Sequence, residues 1–249
     1  MAQKTKNEVA VRNDMNLDLF EGMDSGFEKT DASTFKTPFL KILQAMSPEL
    51  KKSDPKYISE AEQGDFCNSA TQQIYKNIRV VVLKVEHTLV AWKPDRGGFV
   101  GRYNKSQEEN IVQDKEGLKK WDADGNNIVD TIEFYCLNID DPTDIFIFPM
   151  STASLKHAKS FATRLRLLKV DGRPVNVSWA GVWEISTAEE KNDKGTWYTM
   201  GSTPEFVRFI TKDEKDTMIS PAKEMLKTAE TDYSALAGAH EETGNDPTF

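Results

Sequence analysis

Residues 78–92, IRVVVLKVEHTLVAW, constrain the chain most. The run is rich in Val and alternates after Leu83, the pattern of a long strand. Two further strands are predicted at TIEFYCLNI (131–139) and, after an Asp141-Pro142 turn, at DIFIFPM (144–150). The period then changes. STASLKHAKSFATRLRLLK (151–169) reads as a helix capped by Ser151 or Thr152. Leu155, Ala158, Ala162, Leu165 and Leu168 form its buried stripe, and Asp171-Gly172 ends it. VNVSWAGVWEIS (175–186) returns to strand and pairs with TWYTM (196–200) across a polar turn at 187–195; EFVRFI (205–210) adds one more strand.

Strand, strand, strand, helix, strand, strand is the element order of an OB-type barrel. The expected fold class is therefore mainly β (α+β). It is an OB-fold-like five-stranded barrel with a helix between strands 3 and 4, an N-terminal extension and an acidic C-terminal tail. Residues 1–36 read as a flexible polar leader, with LDLF (17–20) as a short docking element; 37–210 is the barrel domain and 211–249 the tail. Inside the domain, Thr37-Pro38 starts a short core-facing helix over FLKILQAM (39–46), with Phe39, Ile42, Leu43 and Met46 on one face. DFCNSATQQIYK (65–76) reads as a hairpin. Residues 93–127 form a polar insertion with a helix around 106–121, and a tail helix follows Ser220-Pro221.

Apolar residues make up 38% of the chain, and no run approaches the ~20 residues that cross a bilayer. The first residues carry no signal-peptide stretch, and Cys67 and Cys136 imply no disulfide framework. A cytoplasmic protein with no membrane partner is expected. The net charge is −8, concentrated at the end: residues 211–249 hold 4 basic and 9 acidic side chains.

No catalytic constellation stands out. His87, His157 and His240 have no metal-protease spacing, and neither a GxSxG elbow nor a GxxxxGK loop is present. GGFVG (97–101) lacks the strand-to-helix context of a nucleotide fingerprint. Glu189-Glu190-Lys191 resembles part of a nuclease cluster but falls in a polar turn. A non-enzyme without a cofactor is expected. DADGNNIVDTIE (122–133) matches a calcium loop, with Asp122, Asp124, Asn126 and Glu133 at positions 1, 3, 5 and 12. Asn127 replaces the usual glycine, and the exit segment alternates like a strand, so the competing reading is a turn entering a strand.

The binding signal is stronger. WKPDRGGFVGRYNK (92–105) sets Lys93, Arg96, Arg102 and Lys105 against one acid and interleaves them with Trp92, Phe99 and Tyr103. Cations follow the phosphates of a single strand, and rings stack on its bases. From Ile145 to Val170 there are five basic residues, Lys156, Lys159, Arg164, Arg166 and Lys169, and no acid. Trp179 and Trp183 are expected on one side of a strand, and Trp197 and Tyr198 on opposite sides of theirs. Residues 228–249 are acidic and end in Phe249.

The acidic tip EETGNDPTF, joined to a barrel with basic and aromatic loops, resembles single-stranded DNA-binding proteins. TPFLKILQAMSPEL and GDFCNSATQQIY resemble their phage-encoded branch. The resemblance implies largely sequence-independent coating of single-stranded DNA in replication, recombination or repair. It also implies that Glu241, Glu242, Asp246 and Phe249 recruit replication or recombination enzymes, with self-association left open. The alternatives are an adaptor acting on a host enzyme and a calcium-regulated binder.

Overall fold

The computed structural model describes residues 38–94, 98–193, 195–201 and 204–228. The leader 1–36, Arg96 and the tail beyond 228 lie outside the described residues. The strands are β1 (Leu40–Ile42), β2 (Phe66–Asn68), β3 (Ile74–Tyr75), β4 (Asn77–Trp92), β5 (Phe99–Asn104), β6 (Asp114–Glu116) and β7 (Lys119–Trp121). They continue as β8 (Asn127–Asn138), β9 (Ile145–Ser151), β10 (Lys169–Val170), β11 (Arg173–Pro174), β12 (Gly181–Asn192), β13 (Gly195–Met200) and β14 (Glu205–Phe209). The helices are α1 (Glu108–Ile111), α2 (Leu155–Arg166), α3 (Lys212–Glu214) and α4 (Ser220–Thr228), with a π turn at Lys215–Ile219 joining the last two.

The protein is mainly β, and its main sheet curls as a half-barrel. The spine is β4 against β8, antiparallel from Val80↔Asn138 to Trp92↔Asn127. A 16-residue strand would span about 50 Å if straight. The register slips between Val82 and Lys84, and such a bulge bends the strand and raises its local twist. β9 pairs with the far edge of β8. The other edge of β4 is shared: β12 takes Asn77–Val81 and β5 takes Thr88–Trp92. β13 and β14 extend the sheet from the two halves of β12.

Both faces of the central sheet are covered, which is why residues 80–83 are apolar without alternation. On one face Val80, Val82, Phe134, Cys136, Phe148 and Trp183 pack under Ala158, Phe161 and Leu165 of α2. On the other, Val81, Leu83, Leu137 and Val182 pack under Ile219 and Ala222 of the C-terminal helical segment. That segment begins at a reciprocal cap between Thr211 and Glu214, before the predicted start. Pro221 carries no N–H, and the π turn ahead of it lets the Ser220 hydroxyl donate to the Lys215 carbonyl at 3.0 Å.

Several local predictions are overturned. Residues 39–46 are not a helix. Leu40, Phe39 and Leu43 enter three different clusters, and Met46 is 58% exposed, so one helical stripe cannot bury them. β1 instead pairs with β2. Its flank spans the gap between the sheet's two ends: Ile147 N donates to Pro38 O at 2.9 Å, and the Gln44 side chain clamps both backbone groups of Tyr198 at 2.8 and 2.9 Å. The helix expected at 106–121 reduces to the four-residue α1, and a β6–β7 hairpin replaces the rest. The strand expected from 175 starts at Gly181, and the polar stretch to Asn192 is strand rather than turn. Trp179 therefore joins the cluster on the C-terminal helix side, opposite Trp183. The 65–76 hairpin and the strands at 78–92, 131–139 and 144–150 form as expected.

Candidate nucleic-acid interface

The aromatic and basic loop is built into the sheet. Trp92 is 6% exposed and meets Phe99 edge-on, with ring centres 5.9 Å apart. Tyr103 packs on Leu89, Ala91 and Ile128. Its hydroxyl would lie 3.1 Å from a Cβ at Gly101, so that glycine serves the chain's own packing rather than the approach of a partner. The three rings therefore pack β5 onto β4, with Trp92 buried and Phe99 and Tyr103 half-buried.

Two of the loop's cations are already neutralised. Arg102 donates from Nε to Glu133 at 2.9 Å and from a terminal nitrogen to Glu133 at 2.7 Å and to Glu86. Burial alone would lower the Arg102 pKa; the carboxylates of Glu133 and Glu86 more than reverse that. Lys105 pairs with Asp130 and, at 2.7 Å, with Glu108. Hydrogen bonds from Lys105 and Lys120 hold the Glu108 carboxyl down at about 2. Lys93 is exposed.

The calcium loop does not assemble. Asp122 uses one oxygen to accept from the backbone of Asp124 and Asn126 and the other to accept from the Asn126 side chain. This is a turn, with Gly125 at φ +79°. Glu133 lies six residues into β8, about 20 Å along the strand, fully buried against Arg102.

The second basic segment faces outward. α2 ends at Arg166, earlier than predicted, and Asp171-Gly172 turns a separate hairpin of β10 against β11. Both turn residues have positive φ, +47° and +77°, the type I′ geometry that fits strand twist. Leu168 packs against the core and its carbonyl accepts from Val175 N at 2.9 Å, which anchors the hairpin. Lys156 pairs with Glu190 at 3.1 Å, and the Arg164 guanidinium lies 5.6 Å from the centre of the Trp183 ring. Lys159, Arg166, Lys169 and Arg173 form no ion pair among the described residues.

The charges of both segments reach His87. Its Nε2 lies 3.1 Å from Asp130 on the floor of a cleft of about 380 Å³, where neither β12 nor β5 covers β4. Burial holds the ring below its ordinary 6.5, the charges of Lys105 and Lys159 push the same way, and Asp130 opposes them. The balance favours the neutral imidazole. An NMR titration should give a midpoint below 6.5 that rises in Lys159→Ala. An unchanged midpoint in that variant would separate α2 from the loop.

Residues 5–241 match the family described as Pam3 phage gp34-like protein. The chain belongs to that family. The match supports a phage-encoded protein. Neither the curated proteins nor the solved structures give a significant match. In this gp34-like chain no described helix is long and apolar enough to cross a membrane.

The sequence reading missed Leu167, Val170 and Arg173 as surface groups, and it missed the aromatic row Trp183–Phe206–Phe209. Phe209, 37% exposed, is the most open aromatic ring among the described residues. A signal for the hairpin was present: Asp-Gly between short extended pieces is a hairpin turn. The helical period running into it hid that reading.

Proposed function

We propose that this gp34-like protein binds single-stranded DNA without strong sequence preference, coating strands exposed during phage replication, recombination or repair. The observation that carries the reading is the outward basic surface of α2 and the hairpin. Lys159, Arg166, Lys169 and Arg173 have no acidic partner among the described residues, on a chain of net charge −8. Free cations on an acidic protein form a local field suited to a phosphate chain. Lys156 and Arg164 flank that track, and the loop cations Lys93 and Arg96 add phosphate contacts in this reading. Trp92, Phe99, Tyr103 and Arg102 contribute by holding β5 in place.

The element order β4, β8, β9, α2, β12, β13 supports an OB-type architecture in which the β1 segment stands where the ends of the sheet would meet. The acidic tail, with Glu241, Glu242, Asp246 and Phe249, recruits partner enzymes in this reading.

The test is a titration of labelled oligo-dT followed by anisotropy, with EDTA, at several salt concentrations. Tight binding that weakens with salt and is not competed by duplex DNA is the expected result. Absence of binding at low salt would sink the reading and favour the adaptor function.

A further inference from the structure

We infer that the β10–β11 hairpin is the base-contacting element of the interface, with Leu167 and Val170 pressing on unpaired bases while Arg166, Lys169 and Arg173 hold the neighbouring phosphates. This rests on the nucleic-acid reading above. The hairpin combines two chemistries that ordinarily avoid each other in water. Leu167 is 62% exposed and Val170 44% exposed, although the core of the same molecule begins one residue away at Leu168. Three cations flank them, none in an ion pair among the described residues, and the one acid, Asp171, is an exposed residue of the turn.

The pairing register gives the ribbon its order. Val170 lies opposite Arg173 and Lys169 opposite Pro174. Directly opposed residues share a face, so each side of the ribbon carries one cation beside one apolar group. A nucleotide offers the same pairing of a charged phosphate and a flat apolar base. Apolar wedges of Leu, Ile or Pro that meet bases recur in nucleic-acid binding. Bases in a duplex are already stacked, so such a ribbon favours unpaired strands. The rigid type I′ turn and the anchor at Leu168 keep the ribbon formed before binding.

The experiment compares the full-length protein with the Leu167→Ser/Val170→Ser variant on two probes, oligo-dT and an abasic strand of the same length. The expected result is a roughly tenfold loss on oligo-dT, an unchanged salt slope, and no loss on the abasic strand, which has phosphates but no bases. A second variant, Gly172→Val, forces a branched side chain into φ +77° and should reproduce the loss by disordering the turn. Equal losses on both probes, or no loss on oligo-dT, would overturn the inference while leaving DNA binding standing. Failure of the unaltered protein to bind oligo-dT would instead remove the functional reading beneath it.

Discussion

Reversing three charges at the end of α2 and on its hairpin, Arg166→Glu with Lys169→Glu and Arg173→Glu, is expected to abolish most single-stranded DNA binding. Each phosphate contact to a single strand contributes about 0.7 to the slope of log affinity against log salt. Three lost contacts flatten that slope by about 2, which at roughly 0.1 M salt is about a hundredfold in affinity. Folding should hardly change. The three side chains are exposed and make no ion pair among the described residues, and substitutions of that kind stay within about 0.5 kcal/mol.

Net charge is the confounding effect, since any triple reversal makes an acidic chain more acidic. Lys51→Glu with Lys52→Glu and Lys56→Glu removes the same charge from another exposed segment, and it supplies the control. If the control weakens binding as much as the hairpin variant, long-range repulsion explains both and the track is lost. A hairpin-specific loss with a flatter slope places the phosphates on Arg166, Lys169 and Arg173.

The sheet was legible because its strands are dense in β-branched and aromatic residues and its turns are polar. Covering both faces of β4 even explains the one irregularity in its pattern, the unbroken run from Val80 to Leu83. Residues 39–46 misled because four apolar residues at helical spacing are compatible with a strand whose neighbours lie on several sides. Periodicity cannot report that Gln44 reaches Tyr198, 154 positions away. The same limit applies to the site. A tryptophan beside arginines and glycines looks like a stacking platform until β5 folds back over it. Nothing local connects Arg102 to Glu133, 31 residues on. Charge counting singled out α2, whose Lys159 and Arg166 form no ion pair among the described residues, but it could not show that Lys156 pairs with Glu190 of β12.

Arg102 also carries the second large prediction. Arg102→Met should lower stability by roughly 3 kcal/mol, and the melting temperature by about 6–12 °C for a fold of this size. Glu133 is wholly buried in β8 and accepts from Arg102, from the Thr88 hydroxyl at 2.6 Å and from the Tyr135 hydroxyl at 3.0 Å. Removing the guanidinium takes its Arg102 partner from that buried carboxylate, while the neighbouring Glu86 keeps Lys84 at 2.6 Å. An uncompensated buried charge costs about 3–5 kcal/mol, and the 24% exposure of Arg102 puts this site at the lower end. Glu133→Gln should destabilise as well. The double variant should fall far short of the sum, because two groups in one network lose a shared interaction only once. Thermal melts of the two single variants and the double complete that cycle. If Arg102→Met melts like the unaltered protein, the network does not hold β5 to the sheet, and Arg102 returns to the phosphate track. If it melts early yet binds oligo-dT normally below its transition, Arg102 acts on DNA only through the fold.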